Sequence, residues 1–85
     1  MVYNVSSRIL TTDKGEKIKL TRLHNLMLIC LSNNRNVTRE ELEEFTGCFN
    51  ISKLKHDFLV RVKHKIKIRT LVGIGYRLES EIYFE

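Results

Sequence analysis

The stretch Ile68-Arg69-Thr70-Leu71-Val72-Gly73-Ile74-Gly75-Tyr76-Arg77-Leu78 constrains this chain more than any other. Ile68 to Leu71 is β-branched and apolar, with Arg69 interleaved. Gly75 to Leu78 sets Tyr76 and Leu78 on one face and Arg77 on the other, the period of two of a half-buried strand. Gly73 and Gly75 stand between the two halves and permit the positive φ that a tight hairpin needs. A hairpin is therefore predicted over 68–78. The acidic, aromatic tail that follows alternates Ile82 and Phe84 with Tyr83. It can add a strand beside the hairpin, fray, or form an interface.

Ahead of the hairpin lies the most basic helix candidate, Ile51 to about Ile66. Wound at about 100° per residue, it gathers Ile51, Leu54, Phe58, Val62 and Ile66 on one side, with Leu59 at the edge. Lys53, His56, Val60, Lys63, His64 and Lys67 gather opposite, flanked by Asp57 and Arg61. Over Ser52 to Arg77 the basic residues are Lys53, Lys55, Arg61, Lys63, Lys65, Lys67, Arg69 and Arg77, against a single acid, Asp57. The preceding helix candidate and the tail (Glu79, Glu81, Glu85) are acidic. Such segregation is the footprint of a phosphate-facing surface. The chain's net charge of +5 and pI near 9.5 point the same way, to nucleic acid before a membrane surface.

Eighty-five residues hold one domain, and 42% hydrophobic with 29% charged residues is the balance of a globular chain. The apolar run Leu26 to Leu31 is far shorter than the ~20 residues a membrane span needs. Asn4, Ser6, Ser7 and Arg8 interrupt any signal peptide. Cys30, inside the apolar run, reads as a small core residue. Cys48 lies near a loop, and the pair fits a reducing cytosol better than a disulfide. The expected location is cytoplasmic.

In chain order, Val2 to Val5 and Arg8 to Thr11 are strand candidates. Asp13-Lys14-Gly15-Glu16 is a turn signal, and Lys17-Ile18-Lys19-Leu20 reads as the return strand. Thr21 is a good N-cap for a helix that carries Leu23, Leu26, Met27, Cys30 and Leu31 at helical spacing; His24 reads as a partly exposed helix residue. Ser32 to Asn36 is a polar connection. Thr38 and Glu41 have the spacing of a capping box, with Val37 set to staple against Leu42. Phe45 continues that helix's apolar face, and Gly47 stops it. The expected core includes Leu26, Leu42, Leu54, Phe58, Val62, Tyr76 and Leu78.

The segment Arg69-Thr70-Leu71-Val72-Gly73-Ile74-Gly75-Tyr76-Arg77-Leu78 resembles the wing signature of the OmpR/PhoB family of response-regulator DNA-binding domains, K/R-T-V-R-G-x-G-Y-R-L. Val72 stands where the family usually has arginine. Val37-Thr38-Arg39-Glu40-Glu41-Leu42 is similar to the family's V-S/T-R-E-x-L, and Leu20-Thr21 to the Leu-Thr that ends its small N-terminal sheet. His24 stands where the family has glutamate. Leu59-Val60-Arg61-Val62-Lys63-His64-Lys65-Ile66 is similar to the end of its recognition helix, with Arg61, Lys63 and His64 at basic positions. The resemblance covers roughly Lys17 to Leu78. It implies an α+β winged helix-turn-helix fold in a single domain over 1–85: an N-terminal antiparallel sheet over 1–20, three helices over 21–66, a wing over 68–78 and the acidic tail over 79–85. Without a receiver domain, control by phosphorylation on the same chain is not expected.

Other chemistries fit poorly. Gly73-Ile74-Gly75 lacks the third glycine and the following helix of a dinucleotide site. Cys48, His56 and His64 have no common zinc spacing, and no nucleophile–base or paired-carboxylate constellation stands out. Neither an enzyme nor a cofactor is expected. The expected activity is sequence-specific binding of double-stranded DNA and transcription regulation. Lys53, His56, Val60, Arg61, Lys63, His64 and Lys67 would face the groove, with Arg69 and Arg77 on the backbone or minor groove. A homodimer on DNA is an implied partner. The alternative is a winged-helix adaptor that binds RNA polymerase or another regulator.

Overall fold

Three short strands begin the chain in the computed structural model, which describes residues 1–85: β1 (Val2–Asn4), β2 (Ile9–Thr11) and β3 (Lys17–Lys19). They pair antiparallel in a register that aligns Tyr3 with Leu10 and Leu10 with Ile18. Alternation along each strand turns this apolar row inward, and all three residues are buried. The tail supplies the fourth strand of the sheet. Later in the chain Tyr83–Phe84 pairs parallel with β1, giving the order β3-β2-β1 followed by this tail strand. Of the options left open for the tail, a strand is the one formed, but on the N-terminal sheet and not beside the hairpin. Backbone bonds hold it there, the Tyr83 amide to the Met1 carbonyl at 2.9 Å and the Glu85 amide to the Tyr3 carbonyl at 2.8 Å, and Phe84 meets Tyr3 edge to face, centroids 6.0 Å apart, an arrangement that aromatic quadrupoles favour.

Helix α1 (Arg22–Cys30) starts at Thr21, whose hydroxyl accepts from the His24 amide at 3.2 Å. Its inward face is His24, Met27, Leu28 and Cys30, continued by buried Leu31. Two expectations are corrected here. His24 is buried, not partly exposed, and Leu26 is only half-buried and lies outside the core. Phe58 decides the rotation. Its ring takes the His24 imidazole edge to face at 5.6 Å, so a polar residue occupies a core position that an apolar pattern cannot reveal.

The connection after α1 is more structured than its polar composition suggests. Asn33 and Asn34 take left-handed φ of 69° and 54°, which Asn tolerates better than most residues. The Asn34 side-chain amide donates to the carbonyls of Leu78 at 2.8 Å and Ser80 at 3.1 Å. These bonds hold the connection against the chain's C-terminal part. The unanticipated strand β4 (Asn36–Thr38) follows. Thr38 then caps α2 (Arg39–Thr46) with both halves of the capping box formed, and Gly47 ends it at a φ of 73°. Phe45, expected on the apolar face, is exposed; Thr46 is buried instead, its hydroxyl donating to the Leu42 carbonyl at 2.6 Å.

Helix α3 (Ile51–Arg61) is capped by the Asn50 side chain and buries Ile51, Leu54 and Phe58. It ends five residues before Ile66, the expected limit. Lys63 and His64 both have a φ of 56°. The His64 amide reaches back to the Leu59 carbonyl at 2.8 Å and the Lys63 amide to Val60 at 3.0 Å. Those two bonds are the Schellman pattern, with lysine where glycine is usual. Val62 and Ile66 are buried nonetheless, because the turn returns the chain to the core.

Strands β5 (Ile68–Leu71) and β6 (Gly75–Leu78) form the expected hairpin, and β4 joins it to make a second sheet in the order β4-β6-β5. The tail strand already described is β7 (Tyr83–Phe84). The two hairpin glycines do different work. Gly73, at a φ of 74°, makes the turn in open space. At Gly75 an added Cβ would lie 2.0 Å from the Val37 carbonyl oxygen, so only glycine lets β4 and β6 approach. The result is an α+β fold of three α-helices and seven strands in two sheets. A single cluster of 18 buried residues joins the sheets and helices. No helix is long and apolar enough to cross a membrane.

Candidate nucleic-acid interface

The first half of α3 presents the outward face that the helical wheel anticipates. Lys53, His56 and Val60 are exposed, and Val60 keeps 53% of its surface in solvent. Lys53 is not free: its ammonium pairs with Asp57 one turn on, at 2.9 Å. The hydrogen bond between them raises the Lys53 pKa and lowers that of Asp57.

The second half of the predicted stripe is rearranged. Because α3 stops at Arg61, Lys63, His64 and Lys67 do not continue its face but sit on the turn and extended segment beyond it. Arg61 donates from Nε to the Lys19 carbonyl of β3 at 2.8 Å. The Lys63 ammonium pairs with the Glu16 carboxylate in the β2–β3 turn. The end of α3 is thus stitched to the N-terminal sheet, a contact between residues far apart in sequence that carries no local signal. Lys67 is exposed; its backbone amide donates to the Ser80 hydroxyl at 2.8 Å, and its carbonyl accepts from the Glu79 amide at 2.9 Å.

On the hairpin, Arg69 and Arg77 face each other directly across β5 and β6. Like charges in that relation are destabilising by themselves. Here each has a partner at its flank. Arg69 pairs with Glu79 at 3.4 Å, and Arg77 donates to the Asn36 side-chain oxygen at 3.0 Å. Val72 at the tip is 93% exposed and Ile74 58%.

One residue that joins helix to hairpin was not singled out as a site residue. Lys55 donates to the Thr70 hydroxyl at 2.6 Å and holds its ammonium 5.6 Å from the centre of the Tyr76 ring, within cation–π range. With Ser52, His56 and Leu59, these residues line a groove of about 250 Å³ between α3 and the hairpin. Lys55 sits between Ile51 and Phe58 in the helical repeat, at the rim of the buried face. The sequence marks that rim but not which element packs against it.

Behind the outward face lies His24, with its Nδ1 unpartnered. Burial, reinforced by Arg61 and opposed by Asp57, holds its pKa below the usual histidine value. Its neutral ring is a packing surface for α3. Both cysteines are free thiols, Cys30 buried and Cys48 half-buried. No group of three or more His, Cys, Asp or Glu side chains is arranged to hold a metal ion. No protein-family model matches this chain, and a search of curated proteins finds no match either.

Proposed function

We propose that this chain is a winged helix-turn-helix protein that binds double-stranded DNA and regulates transcription. In this reading α3 is the recognition helix and enters the major groove, which admits an α-helix. The β5–β6 hairpin is the wing and rests on the backbone or minor groove. The observation that carries the reading is the arginine pair: Arg69 and Arg77 stand directly opposite on one hairpin, next to a helix with which they share a strongly basic stretch of sequence. Two guanidiniums placed directly opposite repel each other, whereas a polyanion gains from both. Lys53, His56 and Val60 on the helix would meet base edges or phosphates. Arg61, Lys63, His64 and Lys67 would act at its end, on the flanking backbone.

A titration of short duplexes at two salt concentrations tests this. The expected result is binding that weakens steeply with salt and differs between sequences. Absence of binding at low salt would refute the reading.

The second reading, a winged-helix adaptor for RNA polymerase or another regulator, is favoured by a different observation. Phe49, 78% exposed, and the tip residues Val72 and Ile74 leave large apolar side chains in solvent, and interface cores use such residues. That reading predicts no salt-sensitive duplex binding.

A further inference from the structure

Glu16 and Lys63 are 47 residues apart in sequence, yet their side chains form an ion pair. Neither backbone is free to drift. In the β2–β3 turn, the Glu16 amide donates to the Thr12 hydroxyl at 3.1 Å, and the Glu16 carbonyl accepts from the Thr12 amide at 2.8 Å. Lys63 is fixed in the left-handed turn after α3, its amide bonded to the Val60 carbonyl at 3.0 Å. The hydrogen bond from Lys63, together with the charges of Lys63 and Lys65, holds the Glu16 carboxyl below its usual range. Lys65 also borders, with Lys14, a depression of about 240 Å³ beside the turn. The other acid there, Asp13, is occupied by the N-terminal ammonium at 2.9 Å.

This cluster is an anion site whose anion is the chain's own. A carboxylate and a phosphodiester offer an ammonium the same kind of charged oxygen acceptor. We infer that Lys63 and Lys65 form a phosphate-binding site for the DNA backbone, filled in the free protein by the Glu16 carboxylate, which the phosphate must displace. The inference rests on the duplex-binding reading and extends the interface from α3 and the hairpin to the β2–β3 turn. Glu16 is then a built-in competitor, and its removal should tighten binding. Exposed ion pairs are weak, so the gain is modest, about two- to fivefold.

The test is a fluorescence-anisotropy titration of one duplex with the parent, Glu16→Gln, Lys63→Ala and the double variant, each checked by thermal melting. Glu16→Ala serves as an independent removal of the carboxylate and must give the same gain. The expected result is tighter binding by Glu16→Gln that disappears when Lys63 is alanine. Unchanged or weaker binding by both Glu16 variants would overturn the inference while leaving duplex binding intact. So would a gain that persists without Lys63, since it would reflect only the change in net charge. Lys65→Ala should weaken binding, and an unchanged affinity removes Lys65 from the site. If the parent fails to bind any duplex at low salt, the duplex reading falls and the phosphate site with it.

Discussion

Replacing Phe58 by alanine tests the packing on which the proposed interface stands. Phe58 is fully buried at the centre of the inward face of α3 and carries the edge-to-face contact with His24. Truncating a buried phenylalanine costs about 3–5 kcal/mol in transfer and cavity energy, and an aromatic pair is worth about 0.5–1.5 kcal/mol beyond its burial. A domain of this size has only about 4–13 kcal/mol of stability in all. The variant should therefore melt at least about 12 °C below the parent, at the ~4–8 °C per kcal/mol usual for small domains. Urea denaturation followed by far-UV circular dichroism reads the same loss as a lowered midpoint at an unchanged slope. Phe58→Leu, which keeps apolar volume but loses the ring contact, should fall between. The cavity also opens the His24 ring to water, so the acid sensitivity described next should shrink in Phe58→Ala. Midpoints equal to the parent's would refute the placement of Phe58 in the core and the rotation of both α1 and α3.

His24 is neutral when buried, and its folded pKa lies below the ordinary value of 6.5. The unfolded chain therefore takes up the proton first as pH falls through about 6.5, and stability should drop from there by at most about 1.4 kcal/mol per pH unit; His24→Leu should flatten that slope, and an identical pH profile would refute it. Glu16, Glu41 and Asp57, all held low by their partners, lose their contribution only below their unfolded values of 4.5 and 3.8, so the two windows separate in a melt series. Gly75→Ala should destabilise by about 1–3 kcal/mol, because its Cβ would meet the Val37 carbonyl, whereas Gly73→Asn, with open space and a tolerated left-handed φ, should be nearly neutral; equal melting temperatures would contradict the close approach of β4 and β6. Val60→Ser should leave the melt unchanged but weaken discrimination of thymine at one base pair, through loss of contact with the base methyl; identical preferences in selections on randomised duplexes would defeat that assignment.

Local chemistry made several elements legible in the sequence alone. The Thr38–Glu41 capping box, the Gly47 stop, the hairpin around Gly73 and the three N-terminal strands depend on residues close together, whose φ preferences and hydrogen bonds are settled within a few positions. The inward face of α3 was also readable, since Ile51, Leu54 and Phe58 repeat at helical spacing. What escaped depends on distant partners. His24 became a core residue because Phe58 covers it. β4 became a strand because β6 lies beside it, and Tyr83–Phe84 because β1 does. The end of α3 escaped for another reason: lysine at the left-handed position gives no warning that glycine would. The candidate site divides along the same line. The basic character of residues 52–77 is a property of composition, visible before folding. Which cations stand free, which are held by Asp57, Glu16 or Glu79, and that Lys55 bridges helix and hairpin, were decided by the tertiary structure, because an ion pair or a shared groove exists only once the fold has brought its two sides together.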